Sequence, residues 1–219
     1  MAELTRELLR DLPKNGPTDP IEYYRRPLVG WLFRERINMG LRLLGSGRAG
    51  SRRFEHGLEV GYGAGAVLLA MAGVADRLSG LDLDADPAVV DAILARRDVK
   101  ADLRKGSVLE MPFDDGAFDL VVCFSVFEHL REYGAALREV RRTMRPGGRF
   151  LLGMPAGTRM MEWGFLAIGF KGIDDHHVTP PVRVARAFDE AGFRLLDVKY
   201  LGVPRPRAAL YTTWLLEPT

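Results

Sequence analysis

Between Gly57 and Gly73 the chain reads GLEVGYGAGAVLLAMAG, with glycines at the alternate positions Gly61, Gly63 and Gly65 between two apolar runs, the second without β-branched density. Glycine lets a backbone turn tightly and approach another group closely. Three of them between a strand and a helix form the first turn of an open α/β sheet, the usual ligand position in such folds. A tight turn with no ligand is the bland alternative, and the alternate spacing weighs against it.

The rest of the chain repeats strand-like and helix-like runs. Leu58 to Val60 ends a first strand, Ala64 to Met71 is a helix, and Leu78 to Leu83 is a second strand. Asp86 and Pro87 then begin a helix as N-cap and first helical residue. A third strand is expected around Asp102 to Val108. FDLVVCFSV, Phe118 to Val126, is nearly all apolar, as a parallel strand buried on both faces should be. Leu137, Val140 and Met144 follow at helical spacing, stopped by Pro146-Gly147-Gly148, and RFLLGM is a fifth strand. Such alternation predicts a doubly wound, mostly parallel sheet with helices on both faces. Thr179-Pro180-Pro181 opens a last helix, and FRLLDVKYLGV and RAALYTTWLLE read as an antiparallel C-terminal hairpin turning at PRP.

At 219 residues the chain is read as one domain. Its expected parts are an N-terminal helical cap (1–50), a ligand-binding core (54–155), a lid-like insertion (156–178) and a C-terminal helix with hairpin (179–219). The cap's apolar residues form two stripes, one through Leu28, Leu32, Met39 and Leu43 and one through Val29, Phe33, Ile37 and Leu44, which implies cover on more than one side. With 31 basic and 29 acidic residues, the charge balance argues against a dedicated nucleic-acid binder. Cys123 is the only cysteine, which suits a reducing cytoplasm. No signal peptide or membrane-spanning run is apparent.

The glycines alone leave the ligand open, because GYGAGA also fits a loose dinucleotide pattern. Either a dinucleotide or an adenosyl cofactor calls for an acidic residue at the end of the second strand. Asp82 supplies it, 21 positions beyond Gly61, and Asp84 falls past the strand end.

Four blocks in order, LEVGYGAG, SGLDLDADP, GSVLEMPFDDGAFDLVVCFSVFEHL and LREVRRTMRPGGRFLLGMP, resemble class I S-adenosylmethionine-dependent methyltransferases, especially the small-molecule group called type 11. The resemblance spans about residues 54 to 155 and implies a seven-stranded Rossmann-like sheet with its last strand antiparallel. It implies S-adenosylmethionine as cofactor and S-adenosylhomocysteine as product. Glu59 would engage the methionine amino group, Gly61, Tyr62, Gly63 and Gly65 would line the methionine portion, and Asp82 would take both ribose hydroxyls. Leu83 would flank the adenine and the Val108 backbone would meet it. Ser107 stands where the family usually has an acidic residue, which leaves that adenine contact weaker. Phe124 and Ser125 would lie beside the sulfonium, with His129 one turn beyond as a candidate catalytic group or a packing residue. Asp119 is read structurally, its carboxylate bonding nearby backbone.

Methyl transfer is an in-line displacement for which alignment in a dry site supplies much of the acceleration. The acceptor surface is expected from the N-terminal helix and the long connection after Pro155. Tyr24, Trp163, His176 and His177 are its candidate substrate contacts, and the connection's Met and aromatic residues suit either a hydrophobic small-molecule acceptor or packing over the core. DDHH, Asp174 to His177, offers only adjacent ligands on one short segment, so no metal is assigned. Two alternatives stay open: a lipid or quinone methyltransferase at a membrane surface, motivated by RRPLVGWLFRERINMGLRLL, and a cofactor-binding protein without catalysis.

Overall fold

The computed structural model describes residues 3–17, 19–45, 53–156, 178–203 and 209–219. After an N-terminal segment come α1 (Ile21–Arg25) and α2 (Pro27–Leu44), then β1 (Phe54–Val60), α3 (Ala66–Met71), β2 (Ala75–Asp82), α4 (Pro87–Ala95) and β3 (Asp102–Lys105). The second half runs β4 (Phe118–Phe124), a 3-10 turn (Phe127–His129), α5 (Tyr133–Thr143), β5 (Met144–Pro155), α6 (Pro181–Arg186), β6 (Phe193–Gly202) and β7 (Ala209–Pro218).

The strands form one sheet in the order β3-β2-β1-β4-β5-β7-β6. β1 to β5 pair in parallel, and β7 is antiparallel to both β5 and β6, so the hairpin sits at the sheet edge as expected. Side-chain alternation along β4 feeds two cores. Leu120 and Val122 join α2, α3 and α4 on one face, and Val121 and Cys123 join α5 and α6 on the other. Each such fully buried apolar side chain contributes about 2 kcal/mol relative to exposure.

Several boundaries move for local reasons. The N-terminal helix divides at Arg26, held extended (φ −64, ψ 140) because the residue before Pro27 is barred from the helical region. α3 starts at Ala66 because Gly65 is left-handed (φ 80). β3 ends at Lys105, leaving Ser107 and Val108 in a turn, where the Leu109 N–H donates to the Ser107 hydroxyl at 3.1 Å. Asp86 caps α4 by accepting from the Ala88 N–H at 2.9 Å, and Asp119 accepts from the Glu55 and His56 N–H groups at 2.9 and 2.8 Å, both as read from the sequence.

α2 crosses the strand ends closely. A Cβ placed on Gly40 would lie 2.8 Å from the Phe124 ring, and one on Gly153 would lie 2.3 Å from it. The two glycines thus leave room for Phe124 between α2 and β5. Phe33, Ile37, Leu41, Leu43 and Leu44 are all buried, as two apolar stripes require, and Trp31 remains 54% exposed. No described helix is long and apolar enough to cross a membrane.

The N-terminal segment packs onto α2 through Leu4, Leu9 and Leu12. Asn38, itself buried, accepts from the Leu4 N–H at 2.7 Å and donates to the Leu4 carbonyl at 3.2 Å. Asn38→Ala leaves both backbone groups unpaired, at an expected cost of about 1–3 kcal/mol in urea unfolding. It should also speed proteolysis within residues 3–12, and unchanged stability and cleavage would contradict this docking.

Candidate functional site

The chain leaves β1 for β2 and β3 on one side and takes up β4 and β5 on the other, so the carboxyl ends of β1 and β4 flank the crevice where such sheets bind ligands. The glycine turn lies at the end of β1. Gly61, Gly63 and Gly65 all have positive φ (82, 47 and 80). A Cβ on Gly61 would meet Val126 at 2.5 Å, which brings the turn against the segment after β4.

Asp82 at the end of β2 holds this turn in place. Its Oδ2 accepts from the Gly63 N–H at 2.9 Å, and its Oδ1 accepts from the Asp84 and Ala85 N–H groups, each at 2.9 Å. Asn15 makes a second clip. Its Nδ2 donates to the carbonyls of Gly63 (3.0 Å) and Asp86 (3.1 Å), and its Oδ1 accepts from the Asp86 N–H at 3.0 Å. The Asn15 and Ile21 N–H groups in turn donate to Asp19, whose carboxyl carbon lies 3.6 Å from a Cβ placed on Gly63. Neither Asn15 nor Asp19 stood out in the sequence, where PKNGPTDP looks like a Pro/Gly break.

Glu59 lies below the turn, 4% exposed, and its Oε2 has no hydrogen-bond partner among the described residues. Burial raises its pKa well above the ordinary carboxyl value, and the nearby charges of Asp82 and Asp19 add to the rise, against a hydrogen bond from the Leu68 backbone. Burial likewise raises Asp19. Three carboxyl groups therefore converge at the glycine turn, and an arriving cation would relieve their mutual repulsion.

A second polar group of side chains gathers at the end of β4. Ser125 is left-handed (φ 58), and its N–H donates to the Gly153 carbonyl at 2.9 Å. Its hydroxyl is 3.0 Å from Arg36 Nη1 and 2.9 Å from the Tyr211 hydroxyl. Arg36 Nη2 donates to the Tyr24 hydroxyl at 3.2 Å, and the guanidinium lies 4.5 Å from the Phe33 ring centre and 5.2 Å from that of Tyr211. Glu128, 2% exposed, completes the group, its Oε2 lacking a partner among the described residues. Burial pushes its pKa up to about 8, opposed by its own backbone N–H, by the Arg36 charge and by Ser125. Burial also holds the Tyr211 phenol far above its usual range.

The expected site residues divide as follows. Glu59, Gly61, Gly63, Gly65 and Asp82 meet at the turn, and Phe124, Ser125 and Tyr24 meet at the end of β4. Leu83, next to Asp82, is 62% exposed. The Tyr62 side chain corrects its expected part: it is 2% exposed, packed against Gly80, with its hydroxyl unpartnered among the described residues, so only its backbone faces the turn. His129 is exposed, whereas its neighbour Glu128 is buried, so the ionisable group turned inward at this bend is Glu128. Val108 is buried in the core beneath its turn. Trp163, His176 and His177 fall within 157–177, outside the described residues. Among the described residues no group of three or more His, Cys, Asp or Glu could hold a metal ion.

The switch in strand order and the glycine turn with its acidic residue one strand away define a doubly wound, nucleoside-cofactor-binding domain. Residues 58–152 match the family described as "Methyltransferase domain". A Mycolicibacterium smegmatis protein named "Probable S-adenosylmethionine-dependent methyltransferase" is 40% identical over 107 residues, covering 49% of this chain and 39% of that protein. The "Uncharacterized methyltransferase YcgJ" of Bacillus subtilis is 31% identical over 134 residues, covering 60% and 50%. The chain thus spans half or less of the length of these two curated relatives. The solved N-methyltransferase NodS from Bradyrhizobium japonicum, in complex with S-adenosyl-L-homocysteine, shares the fold with TM-score 0.66 at 20% identity, covering 99% of this chain and 98% of that one. Residues 58–152 thus carry a methyltransferase domain similar to those of class I S-adenosylmethionine-dependent methyltransferases, as the four sequence blocks indicated.

Glu128 carries a testable sign. Its folded pKa of about 8 lies above the 4.5 of an ordinary glutamate, so its contribution to stability is full below about pH 4.5 and is lost as pH rises through about 8. Glu128→Gln should flatten the fall of Tm between pH 5 and pH 9, raising Tm by about 2–4 °C per kcal/mol recovered at the alkaline end. Parallel Tm–pH curves for the two proteins would contradict the assigned burial.

Proposed function

We propose that this chain transfers the methyl group of S-adenosylmethionine to a small organic acceptor placed at the carboxyl ends of β1 and β4. The observation that carries this reading is the buried Glu59 oxygen without a partner among the described residues, beneath a glycine turn that also faces Asp19 and Asp82. An ammonium is the natural complement of that arrangement, and the side-chain-free glycines leave room for a ligand beside it. The residues present therefore fit the family's cofactor.

In this reading Glu59 holds the amino end of the cofactor, and the glycine turn lies along its methionine portion. Asp82 has a narrower part than two free oxygens would allow. A carboxylate offers about four acceptor directions, and three are taken by the Gly63, Asp84 and Ala85 N–H groups. One direction, on Oδ2, remains for a ribose hydroxyl. Exposed Leu83 and the turn at Ser107 and Val108 border the adenine side.

When bound, the cofactor supplies an electrophilic methyl group on its sulfonium. The chain's own residues orient and exclude water: α2 and Phe124 close the crevice on one side, and Tyr24, Phe33 and Tyr211 give it aromatic walls that suit an apolar or aromatic acceptor body. For a hydroxyl acceptor, Glu128 would take the proton only once ionised, at and above about pH 8. An amine acceptor needs only to arrive neutral. For a membrane-surface acceptor, α2 offers the exposed Trp31, whereas its Phe33, Ile37, Leu41, Leu43 and Leu44 are buried.

Calorimetry should show S-adenosylhomocysteine binding to the wild-type chain. Glu59→Gln should weaken it by about 10- to 100-fold through loss of a charge-assisted bond. Because the acid must shed its proton to meet an ammonium, wild-type affinity should tighten as pH rises, and the glutamine variant should lose that part of the slope. Equal affinity and slope in both proteins would refute the role of Glu59.

A further inference from the structure

Arg36 presents a charge problem that the proposed cofactor contacts leave unsolved. Its guanidinium is wedged among the rings of Tyr24, Phe33 and Tyr211, and its buried Nε has no partner among the described residues. Its two Nη groups reach hydroxyls, those of Ser125 and Tyr24. No carboxylate among the described residues lies within 4.0 Å of it. Guanidinium stays charged in proteins, and a buried charge without a counter-charge is costly. Glu128 is close enough to feel Arg36, but burial pushes its carboxyl pKa up to about 8, which makes it a weak counter-charge.

The placement shows where a matching anion would come from. Ser125 bonds Tyr211 on β7 and Gly153 on β5, so the cluster faces β5 and β7, across β4 from the acidic turn of β1 and β2. Val126, against Gly61, joins the two sites. Phe124, Ser125, Val126 and Arg36 all keep partial exposure, so the cluster is open to a small molecule.

We propose that Arg36, with the hydroxyls of Tyr24, Ser125 and Tyr211, binds the carboxylate of a small acidic methyl acceptor beside the cofactor turn. A single guanidinium surrounded by neutral hydroxyls matches a planar monoanion, and its fork is suited to carboxylate geometry. A phosphate dianion would leave excess charge next to Glu128. The aromatic walls favour an acceptor whose acid group is attached to an apolar or ring body. The inference rests on the cofactor lying in the glycine turn as proposed above.

The test uses benzoate and its neutral isostere benzamide, titrated by calorimetry into the full chain saturated with S-adenosylhomocysteine. Benzoate should bind the wild type at least about tenfold more tightly than benzamide does, and Arg36→Gln should abolish that preference. Affinity of Arg36→Gln for S-adenosylhomocysteine should stay within about threefold of wild type. Tyr211→Phe, which removes one hydroxyl and keeps the ring, should weaken benzoate by about three- to tenfold and serves if Arg36→Gln does not fold. Equal binding of benzoate and benzamide, no binding of either, or benzoate binding that survives these changes overturns the proposal. So does a tenfold loss of S-adenosylhomocysteine affinity in Arg36→Gln, which would assign Arg36 to the cofactor's own carboxylate. A wild-type chain that fails to bind S-adenosylhomocysteine at all would instead overturn the reading under Proposed function.

Discussion

The carboxylate of Asp82 joins two turns at the end of one strand. By accepting from Gly63, Asp84 and Ala85 it fixes the glycine turn after β1 against the start of the segment leading to α4. Asn15 then clips the same two places to the N-terminal segment from the other side. Left-handed glycines have no side chains of their own to brace them, so this external bracing decides whether the turn is a shaped cradle or a loose loop. The positions proposed for Glu59 and Asp19 depend on it.

Around that brace the chain accepts buried ionisable groups that a purely structural core would avoid. Glu59 and Glu128 are nearly inaccessible, and each keeps a carboxyl oxygen unpartnered among the described residues. Arg36 is held by rings and hydroxyls instead of a carboxylate. Buried polar groups left unpaired cost stability, and their clustering at the crevice of an open α/β sheet fits a site completed by its ligands. The two carboxyls occupy different ends of the crevice, Glu59 among acids at the glycine turn and Glu128 beside a guanidinium at the end of β4.

Much of the framework was legible in the sequence because it rests on local chemistry. Asp86-Pro87 caps a helix within three residues, and the apolar β4 pattern requires cover on both faces. The four family blocks also have a physical reason to occur together. Glu139 and Arg142 of LREVRRTMRPGG bind the Met111 backbone, and Arg142 also bonds Asp115 and the Phe113 carbonyl of MPFDDG. What was not legible depends on long-range geometry. Asn15 acts on residues 48 and 71 positions away, and Ser125 meets Tyr211 across 86. Choosing Glu128 over His129 needs the pitch of one 3-10 turn. Tyr62 sits among the glycines, yet its ring turns inward because Gly80 leaves space for it. Arg36 reads as one charge among several on a helix until α2 is laid across the ends of β4 and β7.

The central claim is that the glycine turn, its Asp82 and Asn15 braces and the end of β4 form one cofactor cradle. Amide hydrogen exchange with and without S-adenosylhomocysteine tests this most directly. The account predicts added protection at 61–65, 82–86 and 124–126, together with the bracing segment at 15–24, against little change in β6 at the far edge. Protection elsewhere, or an unchanged pattern at the glycine turn under saturating ligand, would contradict it.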